Sequence, residues 1–174
     1  MNVEVIKGDI TKLKVDIIVN AANKSLLGGG GVDGAIHKAA GPMLLEECKT
    51  LNGCEVGEAK ITESYNLPCK QIIHTVGPIY GGWEKEPEKL LKNCYINSMK
   101  LAEMYRTDND LNNITIAFPC ISTGEFRFPQ TQACKLAISA VETFLTEHET
   151  DVDKIVFNVY KEEDYNIYEQ NIRS

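Results

Sequence analysis

Between Asn20 and His37 the chain reads NAANKSLLGGGGVDGAIH. Two amide side chains, Asn20 and Asn23, close an apolar run; four consecutive glycines, Gly28 to Gly31, follow, and a carboxylate, Asp33, stands just after them. Amides at the end of a strand can orient a sugar or a water. A glycine run costs backbone entropy on folding, and its use is close approach of main chain to a ligand or access to positive φ. Bare N–H groups leading into a helix make a cradle for an anion. A flexible surface loop is the competing reading, disfavoured because Leu26 and Leu27 anchor one end and a helix anchors the other. Asp33 can cap that helix, the common role at such a position and the one local sequence favours. It can also accept a proton from water or hold a ribose hydroxyl.

A second loop, PCISTGEFRFP from Pro119 to Pro129, offers the hydroxyls and amides of Ser122, Thr123 and Gly124 to a second anionic group. Phe126 and Phe128 either pack beneath it or wall an apolar part of a ligand, and at least one of them is expected to pack. A third feature, Gly8-Asp9-Ile10-Thr11, reads as a turn, or as a carboxylate placed to accept from an exocyclic amine. Gly29-x-Gly31-x-x-Gly34 satisfies the dinucleotide fingerprint as a string, but its context is wrong. In that unit the strand runs directly into the first glycine, and an acidic residue ends the next strand about 20 positions on. Here NKSLL intervenes and the later region reads as helix and loop, so a nucleotide-dependent oxidoreductase has only the glycine spacing behind it.

The elements that must position these loops alternate. Val3 to Lys7 reads as an edge strand, and Asp16 to Ala21 as a buried central one. Asp33 to Ala40 reads as a helix stopped by Gly41-Pro42, and Met43 to Leu51 as a second helical piece. Ala59 to Ser64 and Gln71 to Val76 are strand-like, with a turn at Asn66-Leu67-Pro68. Glu86 to Tyr105 is a long helix, Ile114 to Phe118 a short apolar strand, and Pro129 to His148 a helix with one apolar stripe. Lys154 to Tyr160 is the last strand and Glu162 to Ile172 the closing helix. Such an order predicts a three-layer α/β domain around a mostly parallel sheet, without linker or internal repeat over residues 1–174. Ligands of such sheets sit beyond the carboxyl ends of the strands, so both loops should face one end.

The net charge of −7 and the absence of any Lys/Arg run argue against a duplex nucleic acid partner, whose binding is driven by neutralising phosphates. A small anion held by main-chain amides remains compatible with an acidic chain. The six cysteines form no Cys-x-x-Cys pair and read as packing residues rather than a metal site. With no membrane-length apolar run and no signal-peptide pattern at the start, a cytoplasmic protein with reduced thiols is expected.

In order along the chain stand GDIT (Gly8 to Thr11), VNAAN (Val19 to Asn23), LLGGGGVDGAIHKAAGP (Leu26 to Pro42), GEAKIT (Gly57 to Thr62), IHTVGP (Ile73 to Pro78) and FPCISTG (Phe118 to Gly124). With these segments the chain resembles the macro domains over nearly its whole length, and in particular the MacroD-type ADP-ribosyl hydrolases. The resemblance implies a three-layer α/β/α sandwich with a mixed sheet and a cleft for ADP-ribose. It implies that Asp9 recognises the adenine amine beside the Ile10 amide, and that Gly30, Gly31 and Val32 cradle one phosphate. Ser122, Thr123, Gly124, Glu125 and Phe126 would cradle the other, with Phe126 against the distal ribose. Tyr160 would stack on adenine, and Asn20 would support the ribose.

By the same resemblance Asn23 and Asp33 are the catalytic pair. Asp33 orients or deprotonates a water near the anomeric carbon while Asn23 fixes the distal ribose. The ester cleaved joins ADP-ribose to an Asp or Glu side chain of a protein; O-acetyl-ADP-ribose presents a similar ester. No metal and no nicotinamide or other cofactor is implied. The alternative is a reader that binds ADP-ribose without turnover, although the presence of both Asn23 and Asp33 favours the enzyme. The sequence departs from the family at Glu125 and Arg127, where an aliphatic residue and a glycine are usual. These two residues either alter the distal-ribose contacts or form a surface ion pair. Bacterial macro domains that use zinc also carry a Glu in this loop, but they add His and Cys ligands that this first loop lacks.

Overall fold

The computed structural model describes residues 2–148 and 152–172. Its strands are β1 (Val3–Lys7), β2 (Ile17–Ala22), β3 (Ala59–Glu63), β4 (Gln71–Val76), β5 (Ile114–Phe118) and β6 (Val152–Val159). Its helices are α1 (Gly31–Ala40), α2 (Pro42–Thr50), α3 (Pro87–Asp108), α4 (Gln130–Glu147) and α5 (Glu162–Ile172). The strands form one sheet in the order β1-β6-β5-β2-β4-β3. All neighbours are parallel except β3 and β4. Those two are joined by the short turn around Asn66-Leu67-Pro68, which permits only an antiparallel pair.

Strands buried on both faces read as apolar runs rather than alternating ones, and β2 and β4 follow that rule. One side of the sheet carries Ile17, Val19, Ile73, Ile116, Phe118, Ile155 and Phe157, packed with residues of α3, α4 and α5 such as Leu91, Tyr95, Val141, Phe144 and Tyr168. The other side carries Ile18, Ala22, Ile72, Val76, Ala117 and Val156 beneath Ile36, Ala40, Leu44 and Cys48 of α1 and α2. The α/β/α layering and the mixed, mostly parallel sheet are as the sequence implies. Thr62 of β3 and Asn158 of β6 are also buried polar residues on the second face, and two more interrupt its central strands: Asn20 lies between Ile18 and Ala22, and His74 between Ile72 and Val76. Both are fully buried.

Several boundaries differ from the sequence reading. β2 begins at Ile17 because Asp16 is occupied elsewhere: its carboxylate accepts from the Thr115 amide at 2.8 Å, and its carbonyl from the amides of Lys70 and Gln71. α1 starts at Gly31, two residues before Asp33, with Gly30 as its N-cap. It ends at Gly41, whose φ of 89° leads directly into Pro42 at the start of α2. Of the two leucines expected to anchor the glycine loop, Leu26 is buried but Leu27 is 48% exposed. The cysteines are free thiols and all but Cys120 are buried. Burial pushes Cys69 up to about 11 and Cys94 up to about 12, which leaves them as unreactive packing groups.

Phe157 is the hub of the larger core. Its ring lies 6.1 Å from Phe118, 6.4 Å from Tyr95 and 5.0 Å from Tyr168, tying β6 to β5, α3 and α5. Phe157→Ala should lower the unfolding free energy by about 3–5 kcal/mol, the usual cost of such a cavity. The denaturant midpoint should fall without a change in slope.

Candidate functional site

The carboxyl ends of β1, β6, β5, β2 and β4 lie along one edge of the sheet, and each carries one of the chemically unusual segments. After β1, Asp9 accepts from the Thr11 hydroxyl at 2.7 Å and the Thr11 amide at 3.0 Å, capping the 3-10 turn Ile10–Lys12. Those two donors hold its carboxyl below the usual carboxylate range. The turn reading is therefore satisfied, and Asp9 is still an exposed carboxylate. Beside it, after β6, Tyr160 is 80% exposed. The two ends are stitched by the Gly8 amide on the Val159 carbonyl at 2.9 Å and by the Asn158 side chain on the Gly8 carbonyl at 3.1 Å.

After β5 the chain turns sharply. Ser122 is buried with φ +68°, and the Phe128 amide closes the turn on the Ser122 carbonyl at 2.8 Å. Positive φ is costly for a side-chain-bearing residue, and packing enforces it here: a Cβ on Gly77, after β4, would lie 2.0 Å from Ser122 Oγ. Phe128 is the aromatic that packs, edge-on to Tyr80 with ring centroids 5.0 Å apart. Phe126 is half-buried at the loop surface. Among the described residues, the amides of Gly124, Glu125 and Phe126 donate to no acceptor within the chain.

After β2 comes the glycine loop. Gly29, Gly30, Gly31, Val32 and Asp33 likewise donate their amides to nothing in the chain. The last three form the first turn of α1, where the helix dipole adds a partial positive charge. Gly34 has no room for a side chain, since a Cβ would sit 2.4 Å from the Gly29 carbonyl oxygen. The two loops come together: Glu125 Oε1 is 4.0 Å from the point where a Gly30 side chain would begin. Glu125 makes no ion pair with Arg127 among the described residues, so the surface-pair reading does not hold.

Asn23 and Asp33 converge on Gly29. A Cβ there would lie 3.3 Å from Asn23 Nδ2 and 3.2 Å from Asp33 Oδ2. Asn23 is fixed by donating to the Gly28 carbonyl at 2.8 Å and accepting from Ser25 Oγ at 2.7 Å and the Leu26 amide at 3.2 Å. Asp33 does not cap its helix. Its side chain is buried toward the sheet, where Oδ1 accepts from Asn20 Nδ2 at 2.9 Å and lies 3.5 Å from His37 Nε2. Oδ2 has no donor among the described residues and is left on the Gly29 side.

Behind Asp33 runs a buried polar row. Asn20 is paired in register with His74 on β4, and their side chains meet at 3.0 Å. His74 Nε2 contacts Thr62 Oγ1 of β3 at 2.9 Å. Burial, and then the neighbouring His37, push His74 down to about 3. Neither His74 nor Thr62 was singled out as a site residue in the sequence. The signal available was a histidine alternating with Ile72 and Val76 in a strand that is otherwise apolar on that face.

A family model described as Macro domain matches residues 19–137, which include both amide-lined loops. The chain belongs to the macro domain family. A Macro domain-containing protein of Methanosarcina mazei is 58% identical over 147 residues, covering 84% of this chain and 75% of its own. Human ADP-ribose glycohydrolase MACROD2 is 51% identical over 98% of this chain, which spans only 39% of that relative's length. Solved structures agree. An Oceanobacillus iheyensis macrodomain mutant with ADPR superposes with TM-score 0.89 at 42% identity, covering 98% of this chain and 91% of its own. A Trypanosoma brucei macrodomain in complex with ADP-ribose gives 0.87 at 41%, covering 98% and 69%.

Two properties follow for this macro domain among its described residues. No helix is long and apolar enough to cross a membrane. No group of three or more His, Cys, Asp or Glu side chains is arranged to hold a metal ion.

The buried neutral ring of His74 makes stability depend on pH. Unfolded, the ring takes a proton near its ordinary value of 6.5; folded, it resists down to about 3. Acid therefore favours the unfolded chain throughout that window, by up to about 1.4 kcal/mol per pH unit from this one group, and the effect vanishes above it. Denaturation midpoints should fall between pH 7.5 and 5.5, and the fall should shrink in His74→Leu. An unchanged wild-type midpoint over that interval would show that the ring does not stay neutral.

Proposed function

We propose that this macro domain binds ADP-ribose along the strand ends and hydrolyses the bond between its distal ribose and an acidic side chain of a protein. The observation that carries this is the pair of unpartnered amide rows after the adjacent strands β2 and β5, with Asn23 and Asp33 converging at one end of them. Two rows of bare N–H groups suit a diphosphate. The order of strands supports the rest of the reading. Asp9 and Tyr160, on the β1–β6 side, take the adenine amine and ring, with the Ile10 amide beside Asp9. Gly30, Gly31 and Val32 hold one phosphate; Ser122, Thr123, Gly124, Glu125 and Phe126 hold the other, with Phe126 against the distal ribose. Asn20 supports that ribose from below.

In the reaction, a water near the anomeric carbon gives a proton toward Asp33 Oδ2 while its oxygen bonds to the carbon. The bond from that carbon to the ester oxygen breaks, and the protein carboxylate leaves. Asn23 holds the ribose in place. The ester of O-acetyl-ADP-ribose offers a similar linkage, so its deacetylation belongs to the same proposal. The names of the MACROD1 and MACROD2 relatives, ADP-ribose glycohydrolases, support the reading. A second reading, binding without turnover, is favoured only by Glu125, whose carboxylate reaches toward the glycine loop where a phosphate would approach.

The deciding experiment is release of ADP-ribose from a protein mono-ADP-ribosylated on glutamate, run beside calorimetric titration with free ADP-ribose. Turnover with binding is expected; binding alone would make the protein a reader, and no binding would sink both readings. Asp33→Ala should keep affinity within about tenfold and slow turnover by a factor on the order of 10² or more. Asp9→Ala should do the reverse, chiefly weakening the titration. A folded Asp33→Ala with full turnover would remove Asp33 from the mechanism.

A further inference from the structure

The Asn20 amide nitrogen has two hydrogens, and both have acceptors: Asp33 Oδ1 at 2.9 Å and His74 Nδ1 at 3.0 Å. This fixes the histidine's tautomer. If Nδ1 accepts, the ring is neutral and its proton is on Nε2, which then donates to Thr62 Oγ1 at 2.9 Å. The Thr62 hydroxyl passes its own hydrogen to the Glu63 carbonyl at 3.1 Å. Every donor in the row points the same way. Turning the Asn20 amide over would put its oxygen against the Asp33 carboxylate oxygen with no hydrogen between them, so the nitrogen faces Asp33 and the buried Asn20 Oδ1 is left without a partner among the described residues. With the carboxylate ionised, this orientation orders the hydrogens along the row as far as Thr62.

We propose that His74 is a positioning residue for hydrolysis, acting through Asn20 to hold the Asp33 carboxylate with Oδ2 turned toward the glycine loop. The inference rests on the hydrolase reading above. Asn20, His74 and Thr62 are all buried and come from three neighbouring strands, so the row cannot be re-formed by solvent. Asp33 itself sits in the first turn of a helix, where, among the described residues, its side chain has no hydrogen-bond anchor in the sheet other than Asn20. His37, one turn along α1, approaches the same Oδ1 only at 3.5 Å. Loss of the acceptor at His74 Nδ1 leaves the Asn20 amide held on the Asp33 side alone, so amide and carboxylate can tilt together.

Side-chain geometry gives a selective test. Asparagine at position 74 keeps an acceptor close to the place of Nδ1. Glutamine keeps a group near the place of Nε2 but none beside Asn20, and leucine keeps neither. His74→Leu should lower kcat about tenfold or more, the scale of a slightly misplaced reacting group, with calorimetric affinity for free ADP-ribose within about threefold of wild type. His74→Asn should recover most of kcat, and His74→Gln should not. Equal turnover in wild type and folded His74→Leu would overturn the proposal, as would parallel losses in His74→Asn and His74→Gln. Should His74→Leu fail to fold, the Asn-against-Gln comparison decides alone. The ring's 15N spectrum in the wild type gives a readout independent of turnover. The neutral Nε2–H tautomer is expected at pH 7, and the Nδ1–H form overturns the inference even if the enzyme is active. A wild type that binds ADP-ribose but releases none from the modified protein would instead sink the hydrolase reading beneath it.

Discussion

A carboxylate held out of water needs donors to replace the ones it loses, and most of what is unusual in this macro domain answers that need at Asp33. The helix that carries it starts on glycine, so no side-chain cap competes for the turn, and the carboxylate turns inward instead. There, among the described residues, the only donor that reaches Oδ1 within ordinary hydrogen-bond distance is Asn20. Asn20 sits in the middle of a central strand, where a polar side chain is tolerated only if it is matched. The match for its amide nitrogen is Asp33 and His74, with Thr62 behind the ring, while its oxygen has no partner among the described residues. A polar seam thus crosses three strands beneath an otherwise apolar layer of α1 and α2. Its cost is the loss of packing and the pH sensitivity of a histidine kept neutral. Its effect is one carboxylate oxygen left free in a fixed place.

The two loops follow a different constraint, main chain approaching main chain. Gly34 has no space for a Cβ against the Gly29 carbonyl, and Gly77 has none against Ser122. These contacts shape the turns so that their amides face outward with no acceptor of their own. An amide left bare at a surface is solvated and costs little; an anion that replaces that water gains several oriented donors at once, without paying to organise them. The strain at Ser122, with φ +68°, is stored in the same way, over-determined by packing around it.

Much of this was legible in the sequence. Strand and helix order, the layered fold and the two unusual loops follow from apolar runs and from the placing of glycines. Asp33 shows where local reading runs out. A carboxylate just after a glycine run reads as a helix cap, and only the helix starting two residues earlier, at Gly31, turns it away from that role. His74 was hidden for another reason. Its meaning depends on register: one step along β4 would put it on the α3 side of the sheet, away from Asn20. Register between strands 54 residues apart is a tertiary fact that a strand's own pattern does not carry. Glu125 and Arg127 were adjacent enough to suggest an ion pair, but the structure places the Glu125 carboxylate beside the glycine loop instead, a contact between loops far apart in the chain that local sequence does not carry.

That placement bears on how an acidic protein can hold an anionic ligand at all. With a net charge of −7, the long-range field repels a diphosphate, and Glu125 adds a carboxylate at the meeting point of the loops. On the proposed reading, the donors offered to the anion there are main-chain amides and the start of α1. Amide dipoles act over short distances and only in the right orientation, so they favour a ligand that fits both rows at once and give little to a lone anion or a polyphosphate chain. On the proposed reading, recognition falls to the geometry of eight backbone N–H groups, Gly29 to Asp33 and Gly124 to Phe126, which have no acceptor among the described residues. On that reading the exposed Glu125 carboxylate, 4.0 Å from where a Gly30 side chain would begin, raises the requirement further, because its charge opposes a phosphate and only a ligand engaging both rows offsets that.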